Sequence, residues 1–113
     1  MKKLFCLLLA ALMLFSCTAC GGQAKDRLAE IKARGYIEFC TEPYFAPMEF
    51  IDPSKTGDEQ FVGVDIEIAK YIAEKMGVEL KIVPLDFTPL LAAIADGRYD
   101  LALSAIAYSP SRA

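Results

Sequence analysis

A guanidinium, several hydroxyls, carboxylates and two phenylalanine rings stand at or just beyond the ends of three expected strands. Thr41, Glu42 and Phe45 follow the first, Asp86 and Phe87 the second, and Ser104 through Arg112 the third. Such a set matches the chemistry of a free amino acid. A planar guanidinium holds a carboxylate through two parallel hydrogen bonds, and a ring covers the apolar part of a side chain. Glu42 or Asp86 would balance an ammonium. Each residue also has a plainer reading: the phenylalanines as caps on the core, Asp86 as a solvated turn residue before a helix, Glu42 as a surface loop charge, Arg112 as an exposed terminal charge. With no histidine and no paired cysteine motif in the 113 residues, a metal site is poorly supported. Acid–base catalysis has equally little to stand on.

The elements that must position these residues follow from periodicity. DRLAEIKAR (26 to 34), with Leu28 and Ile31 three apart and Gly35 behind, predicts a short helix. YIEFC (36 to 40) predicts a strand, and TEPYFAP (41 to 47), with two prolines, a loop. Met48 to Ile51 and Phe61-Val62-Gly63 flank the turn-rich DPSKTGDEQ and predict a hairpin with a long exposed tip. In VDIEIAKYIAEKMG, Ile68, Ile72 and Met76 recur every four residues beside Ala69 and Ala73. This predicts an amphipathic helix with Asp65 favouring the dipole in its first turn and Gly77 ending it. VELKIVP (78 to 84) alternates as a strand, Thr88-Pro89 starts a second long helix that Gly97 stops, and Leu101 to Ser104 is a third strand. Strand, helix, strand, helix, strand is two successive βαβ units, hence an α/β fold with a parallel sheet. In open sheets of this kind ligands bind outside the carboxyl ends of the strands, which is why those positions matter.

The front of the chain is different. Met1-Lys2-Lys3 followed by the apolar run Leu4 to Phe15 has the pattern of a secretory signal, too short for a membrane span. Thr18-Ala19-Cys20-Gly21-Gly22 resembles a lipoprotein cleavage box with Cys20 as the acylated residue; Leu14-Phe15-Ser16-Cys17 is a competing box. The expected division is a signal peptide over 1–19, a tether over 20–25 and a folded part over 26–113. Acyl chains at Cys20 would hold the protein to the membrane. Cys40 then has no disulfide partner and reads as a small buried residue at a strand end. The net charge of −3 becomes more negative once Lys2 and Lys3 are set aside, and nothing basic is clustered, which argues against nucleic acid.

Three motifs in order resemble the bacterial extracellular solute-binding proteins of family 3, the polar amino acid receptors of ABC importers. They are LAEIKARGYIEFCTEPYFAPMEFID, the helix signature Gly63-Val64-Asp65-Ile66-Glu67-Ile68 with Ile72-Ala73 and Met76, and YDLALSAIAYSPSR. The resemblance implies the first lobe of a periplasmic-binding-protein-like type II fold, incomplete because such receptors have two lobes that close on the ligand. It implies that Phe45 and Phe87 sandwich the ligand side chain, that Glu42 meets its polar end, that Ser104 is a strand-end contact and that Arg112 takes the carboxylate. Ala107 stands where the family commonly has a hydroxyl. The implied partners are a free amino acid and an ABC permease, with no cofactor, no metal and no nucleic acid. The protein is expected as a monomer, lipid-anchored on the extracytoplasmic face of the cell membrane. An enzyme of the same fold, of dehydratase or cell-wall lyase type, is the alternative, with Glu42 or Asp86 as general acid or base. A sensor input domain and a fragment inactive by itself are further readings.

Overall fold

A computed structural model describes residues 26–112 of the chain. The expected signal peptide, the tether and the lipidation residue Cys20 lie outside the described residues.

Helix α1 (Arg27–Arg34) is capped by Asp26, whose carboxylate accepts from the amide of Ala29 at 3.2 Å, and ends at Gly35, whose φ of 82° only glycine adopts without strain. It buries Ile31 and leaves Leu28 49% exposed, so only one of the two expected apolar positions faces the core. Strand β1 (Tyr36–Thr41) follows and is the centre of a three-stranded parallel sheet in the order β5–β1–β6, where β5 is Glu79–Pro84 and β6 is Leu101–Ala102. Tyr36 through Thr41 pair in register with Glu79 through Pro84, and Phe39-Cys40 with Leu101-Ala102. The central position explains why Phe39, Cys40 and Thr41 are fully buried. Cys40 is free, and burial pushes its thiol pKa up.

Between β1 and β5 the chain makes a small antiparallel sheet, β2 (Tyr44–Phe45), β3 (Glu49–Ile51) and β4 (Phe61–Val62), in that order. The β3–β4 pair is the expected hairpin, with Phe50 opposite Val62 and Ile51 opposite Phe61. The two-residue strand β2 was not anticipated: the prolines at 43 and 47 flank it and leave Tyr44 and Phe45 free to pair with Phe50 and Glu49.

Helix α2 (Val64–Met76) starts at Gly63 because nothing else fits there. A Cβ on Gly63 would lie 2.3 Å from the carbonyl oxygen of Met48, and the φ is 125°. This close approach lets the carbonyls of Pro47 and Met48 accept from the amides of Val64 and Asp65 at 3.2 and 2.9 Å, satisfying two donors of the first turn. The buried face of α2 is Asp65, Ile66, Ala69 and Ala73; Ile72 and Met76 are half-buried and Ile68 is exposed. Of the expected apolar face, Ala69 and Ala73 are buried and Ile72 and Met76 pack on the core, while Ile68 faces out and Ile66 and Asp65 turn in. The outer face of the helix, with Val64, Ile68 and Tyr71, lines a shallow groove beside Pro47. The core joins Phe39, Phe61, Ile66 and Ala69 to Leu80, Ile82, Leu101 and Leu103, with a second cluster of Ile31, Ile37 and Ala73 beside it.

Helix α3 (Phe87–Ala95) is capped at Asp86 and begins at Phe87, two residues before the expected Thr88 cap and Pro89 start, and buries Leu90 and Ala93. β6 is shorter than the expected Leu101 to Ser104. Ser104 lies past the pairing but is 5% exposed, held by its own hydrogen bonds.

Candidate functional site

The carboxyl ends of β1 and β6 and the amino end of α3 open on one side, with the β2–β3 sheet beside them. A cavity of about 220 Å³ lies there, lined by Glu42, Phe45, Glu49, Phe87, Ser104 and Ala105. Four of the five residues expected to contact a ligand are brought together in it. They come from four places in the chain: Glu42 just after β1, Phe45 in β2, Phe87 at the start of α3 and Ser104 after β6.

Each is also tied to the frame. Asp86, at the cap position of α3, makes no side-chain cap bond; instead Glu42 Oε1 accepts from the amide of Phe87 at 3.2 Å. A carboxylate on a helix amino end is favoured by the dipole, so Glu42 both fixes the Phe87 ring and brings negative charge to the cavity. The Ser104 hydroxyl accepts from the Glu42 amide at 3.0 Å and donates to Glu49 Oε1 at 3.2 Å. Both of its hydrogen-bonding roles are thus taken by protein. Phe45 is 59% exposed, a ring with one face to solvent. Asp86 lines a neighbouring concavity with Pro43, Tyr44, Pro84, Leu85 and Pro89.

Arg112 stands apart from the other four. Its guanidinium donates to the Ala107 carbonyl at 2.6 Å, within the segment that follows β6, and it lines a separate apolar cavity with Leu91, Ile94, Leu101 and Ile106. The short 3-10 turn Pro110–Arg112 carries it there.

Glu49 carries no expectation from the sequence, and Asp65, in the first turn of α2 as expected, has a further role. Glu49 is 1% exposed, its Oε2 has no hydrogen-bond partner, and it lines the cavity. Asp65 does not simply face the dipole of α2: its Oδ2 accepts from the amide of Ala105 at 2.8 Å, clamping the turn after β6 where Ala105 has a φ of 47°. Burial pushes the Glu49 pKa up to about 7, with the neighbouring Asp65 and Glu42 carboxylates adding to the rise and the Ser104 hydroxyl opposing it. A sequence signal for Glu49 did exist: it is a lone charge between Met48 and Phe50, and a charge inside an apolar stretch is rarely buried without a task. Among the described residues, no three acidic or cysteine side chains are grouped so as to hold a metal ion.

A small acidic cavity with aromatic walls lies outside the carboxyl ends of a parallel sheet, the place where open α/β sheets bind small ligands. The comparisons agree. Residues 37–113 match the model for bacterial extracellular solute-binding proteins, family 3, and the chain belongs to that family. It is 35% identical over 112 residues to the arginine-binding extracellular protein ArtP of Bacillus subtilis, covering 99% of this chain and 41% of ArtP. It is 30% identical to the cyclohexadienyl dehydratase of Pseudomonas aeruginosa, covering 92% of this chain and 37% of that enzyme. Among solved structures it resembles the arginine-bound form of domain 1 from TmArgBP, with a TM-score of 0.66, 36% identity, and coverage of 74% of this chain and 63% of that one. The chain thus spans about two fifths of the length of the two curated relatives.

Proposed function

We propose that the protein is the solute-binding component of an amino acid ABC importer, capturing a free amino acid outside the cytoplasmic membrane and presenting it to a permease. One observation carries this reading: Glu42, Phe45, Phe87 and Ser104 meet around a single cavity at the strand ends. The rings cover the aliphatic part of a ligand side chain and Glu42 supplies charge for its polar end. The arginine-binding relative and the arginine-bound domain 1 support the same assignment.

In this proposal Arg112 takes the ligand carboxylate. For that, the segment after Ser104 must repack so that the guanidinium exchanges the Ala107 carbonyl for the ligand. An acyl anchor on Cys20 would keep the protein at the extracytoplasmic membrane surface, and mass measurement of the mature amino terminus separates acylation at Cys20 from acylation at Cys17.

Titration calorimetry of the whole chain against the free amino acids is the direct test, with saturable binding and no turnover expected. Phe87→Ala should weaken binding about tenfold by removing ring contact. Arg112→Ala should weaken it more, since a carboxylate loses a charged partner. An unchanged affinity in Arg112→Ala would place the carboxylate elsewhere. Turnover of a cyclohexadienyl substrate would replace the receptor reading with the enzymatic one that the dehydratase relative exemplifies.

A further inference from the structure

Glu49, Asp65 and Ser104 are all buried, and they meet beside the cavity as one hydrogen-bonded chain. The Ser104 hydroxyl donates to Glu49 Oε1, the carboxyl groups of Glu49 and Asp65 lie within hydrogen-bonding reach of each other, and Asp65 Oδ2 accepts from the amide of Ala105. The backbone sets the middle contact, because the Asp65 amide donates at 2.9 Å to the carbonyl of Met48, the residue before Glu49. One carboxyl pair, from β3 and α2, therefore holds two consecutive residues of the turn after β6. That turn needs holding: Ala105 has a φ of 47°, which a residue with a Cβ keeps only where its surroundings fix it.

Two carboxyl groups in contact away from water do not both ionise, so this pair carries one proton. Ser104 occupies Oε1 as a donor, which leaves Oε2, an oxygen with no protein donor, to bear the proton and give it to Asp65. Nothing around the pair offsets a second negative charge. The end of β1 adds Glu42, another carboxylate; β2 offers Phe45, β4 offers Phe61 and Val62, and the segment after β6 only the Ser104 hydroxyl. At the start of α2 the amides of Val64 and Asp65 are taken by the carbonyls of Pro47 and Met48, and at the start of α3 the Phe87 amide is taken by Glu42. Among the described residues, no lysine or arginine forms an ion pair with Glu42, Glu49 or Asp65.

We propose that the proton shared by Glu49 and Asp65 works as a latch on the Ser104-Ala105 turn: with the proton in place the turn is held to β3 and α2, and its loss to solvent frees the segment that carries Arg112. In that step the pair goes from one negative charge to two, and the proton passes to water. The latch stands on the contacts of the fold. Its consequence for ligand capture, that a freed turn lets Arg112 leave the Ala107 carbonyl, rests on the receptor reading above.

Burial, with Asp65 and Glu42 adding to the rise and Ser104 opposing it, puts the Glu49 pKa at about 7, so the latch opens across the neutral range. Carboxyl NMR of the isotope-labelled full chain should show Glu49 and Asp65 moving together at one midpoint in that range. From pH 6 to pH 8 the hydrogen-exchange protection of the Ala105 amide, corrected for the intrinsic pH dependence of exchange, should fall by at least about tenfold. In Glu49→Gln the side-chain amide donates to Asp65 and its oxygen accepts from Ser104 with no titrating proton, so the protection should stay level. A merely structural Glu49 would leave the Ala105 profile of the variant as it is in the parent. Asp65→Asn should lower the Glu49 midpoint by about one pH unit or more, since a like charge is replaced by a donor. Glu49 titrating near its ordinary value of 4.5, Ala105 protection that does not change from pH 6 to pH 8, or the parent's profile persisting in Glu49→Gln would each overturn the proposal. If neither variant folds, the parent decides: coincident midpoints for the two carboxyl groups and for Ala105 support the latch, and separate ones sink it. None of these readouts uses a ligand, so a chain that binds no free amino acid and still shows coincident midpoints would overturn the receptor reading and leave the latch standing.

Discussion

Two buried carboxylates sit at opposite ends of the parallel sheet and live in opposite surroundings. Asp100, just before β6 at the amino end of the strands, has a side chain only 1% exposed and is flanked by two arginines, though its Oδ1, like Glu49 Oε2, makes no hydrogen bond. Its Oδ2 accepts from Arg34 and, at 2.8 Å, from the amide of Glu38, while Arg27 Nε stands 3.5 Å from Oδ1. Glu49, at the carboxyl end, is as deeply buried and has one hydroxyl donor and no cation. The first carboxylate ties α1, β1 and β6 into one frame. The second lines a cavity and makes no ion pair among the described residues. The two ends therefore differ in their cations: the amino end of the sheet has them and the carboxyl end has none on Glu49.

The largest effect expected from breaking this contrast is at the closed end. Asp100→Ala strands Arg34 and the Glu38 amide together, and removing one partner of a buried pair costs about 3–5 kcal/mol. A urea melt of the variant should show that loss at neutral pH. A loss below about 1 kcal/mol would mean that the two arginines find other partners, and the contrast between the two ends would fail.

At the open end the effect should depend on pH, and its sign is opposite to that of an ion-paired carboxylate. The Glu49 pKa is higher in the folded chain, about 7, than its ordinary value of 4.5. Between those values the folded state holds a proton that the unfolded chain gives up. Stability therefore falls as pH rises through this window, by about 3 kcal/mol in all, and is flat above it. Glu49→Gln should flatten the dependence and be more stable than the parent at pH 8. A variant that keeps the full slope would show that another group carries it.

How far the sequence reveals this arrangement depends on the kind of signal. The parallel sheet is legible because β1 and β5 alternate strongly and the glycines at 35, 77 and 97 punctuate the helices. Strand ends then lead to Glu42, Phe87 and Ser104 by a rule about sheets rather than about these residues. Phe45 was found in a stretch read as loop and lies in a short strand, a pairing that depends on β3 and so on tertiary structure. The helix α2 is legible in its type and in most of its apolar face, but not at its first turns. Ile68 looks like core by spacing, yet the docking of Gly63 on Met48 turns Ile66 inward, and Asp65 goes in with it. Glu49 was hidden for a related reason: inside a short apolar strand, sequence shows that a charge is present but not that its neighbours are Asp65 and Glu42 from elsewhere in the chain. The placement of Arg112 depends on how the last turn packs, which periodicity does not address.

The smallest effect tests whether exposure, rather than the mere presence of a carboxylate–cation pair, separates these sites. Glu67 and Lys70 form a pair at 2.8 Å one turn apart on α2, with side chains 69% and 47% exposed. Water screens both charges, and holding two long side chains together costs entropy that offsets most of the attraction. Glu67→Gln should therefore change stability by less than about 0.5 kcal/mol, and that small change should shrink further in salt, since exposed charges are screened. Asp100 is likewise paired with basic side chains but is buried and also accepts from the Glu38 amide, so a large response there and almost none at Glu67 fits burial with its added hydrogen bond as the difference. A loss at Glu67 comparable to that at Asp100 would mean that pairing alone sets the energy, and burial would drop out of the contrast with Glu49.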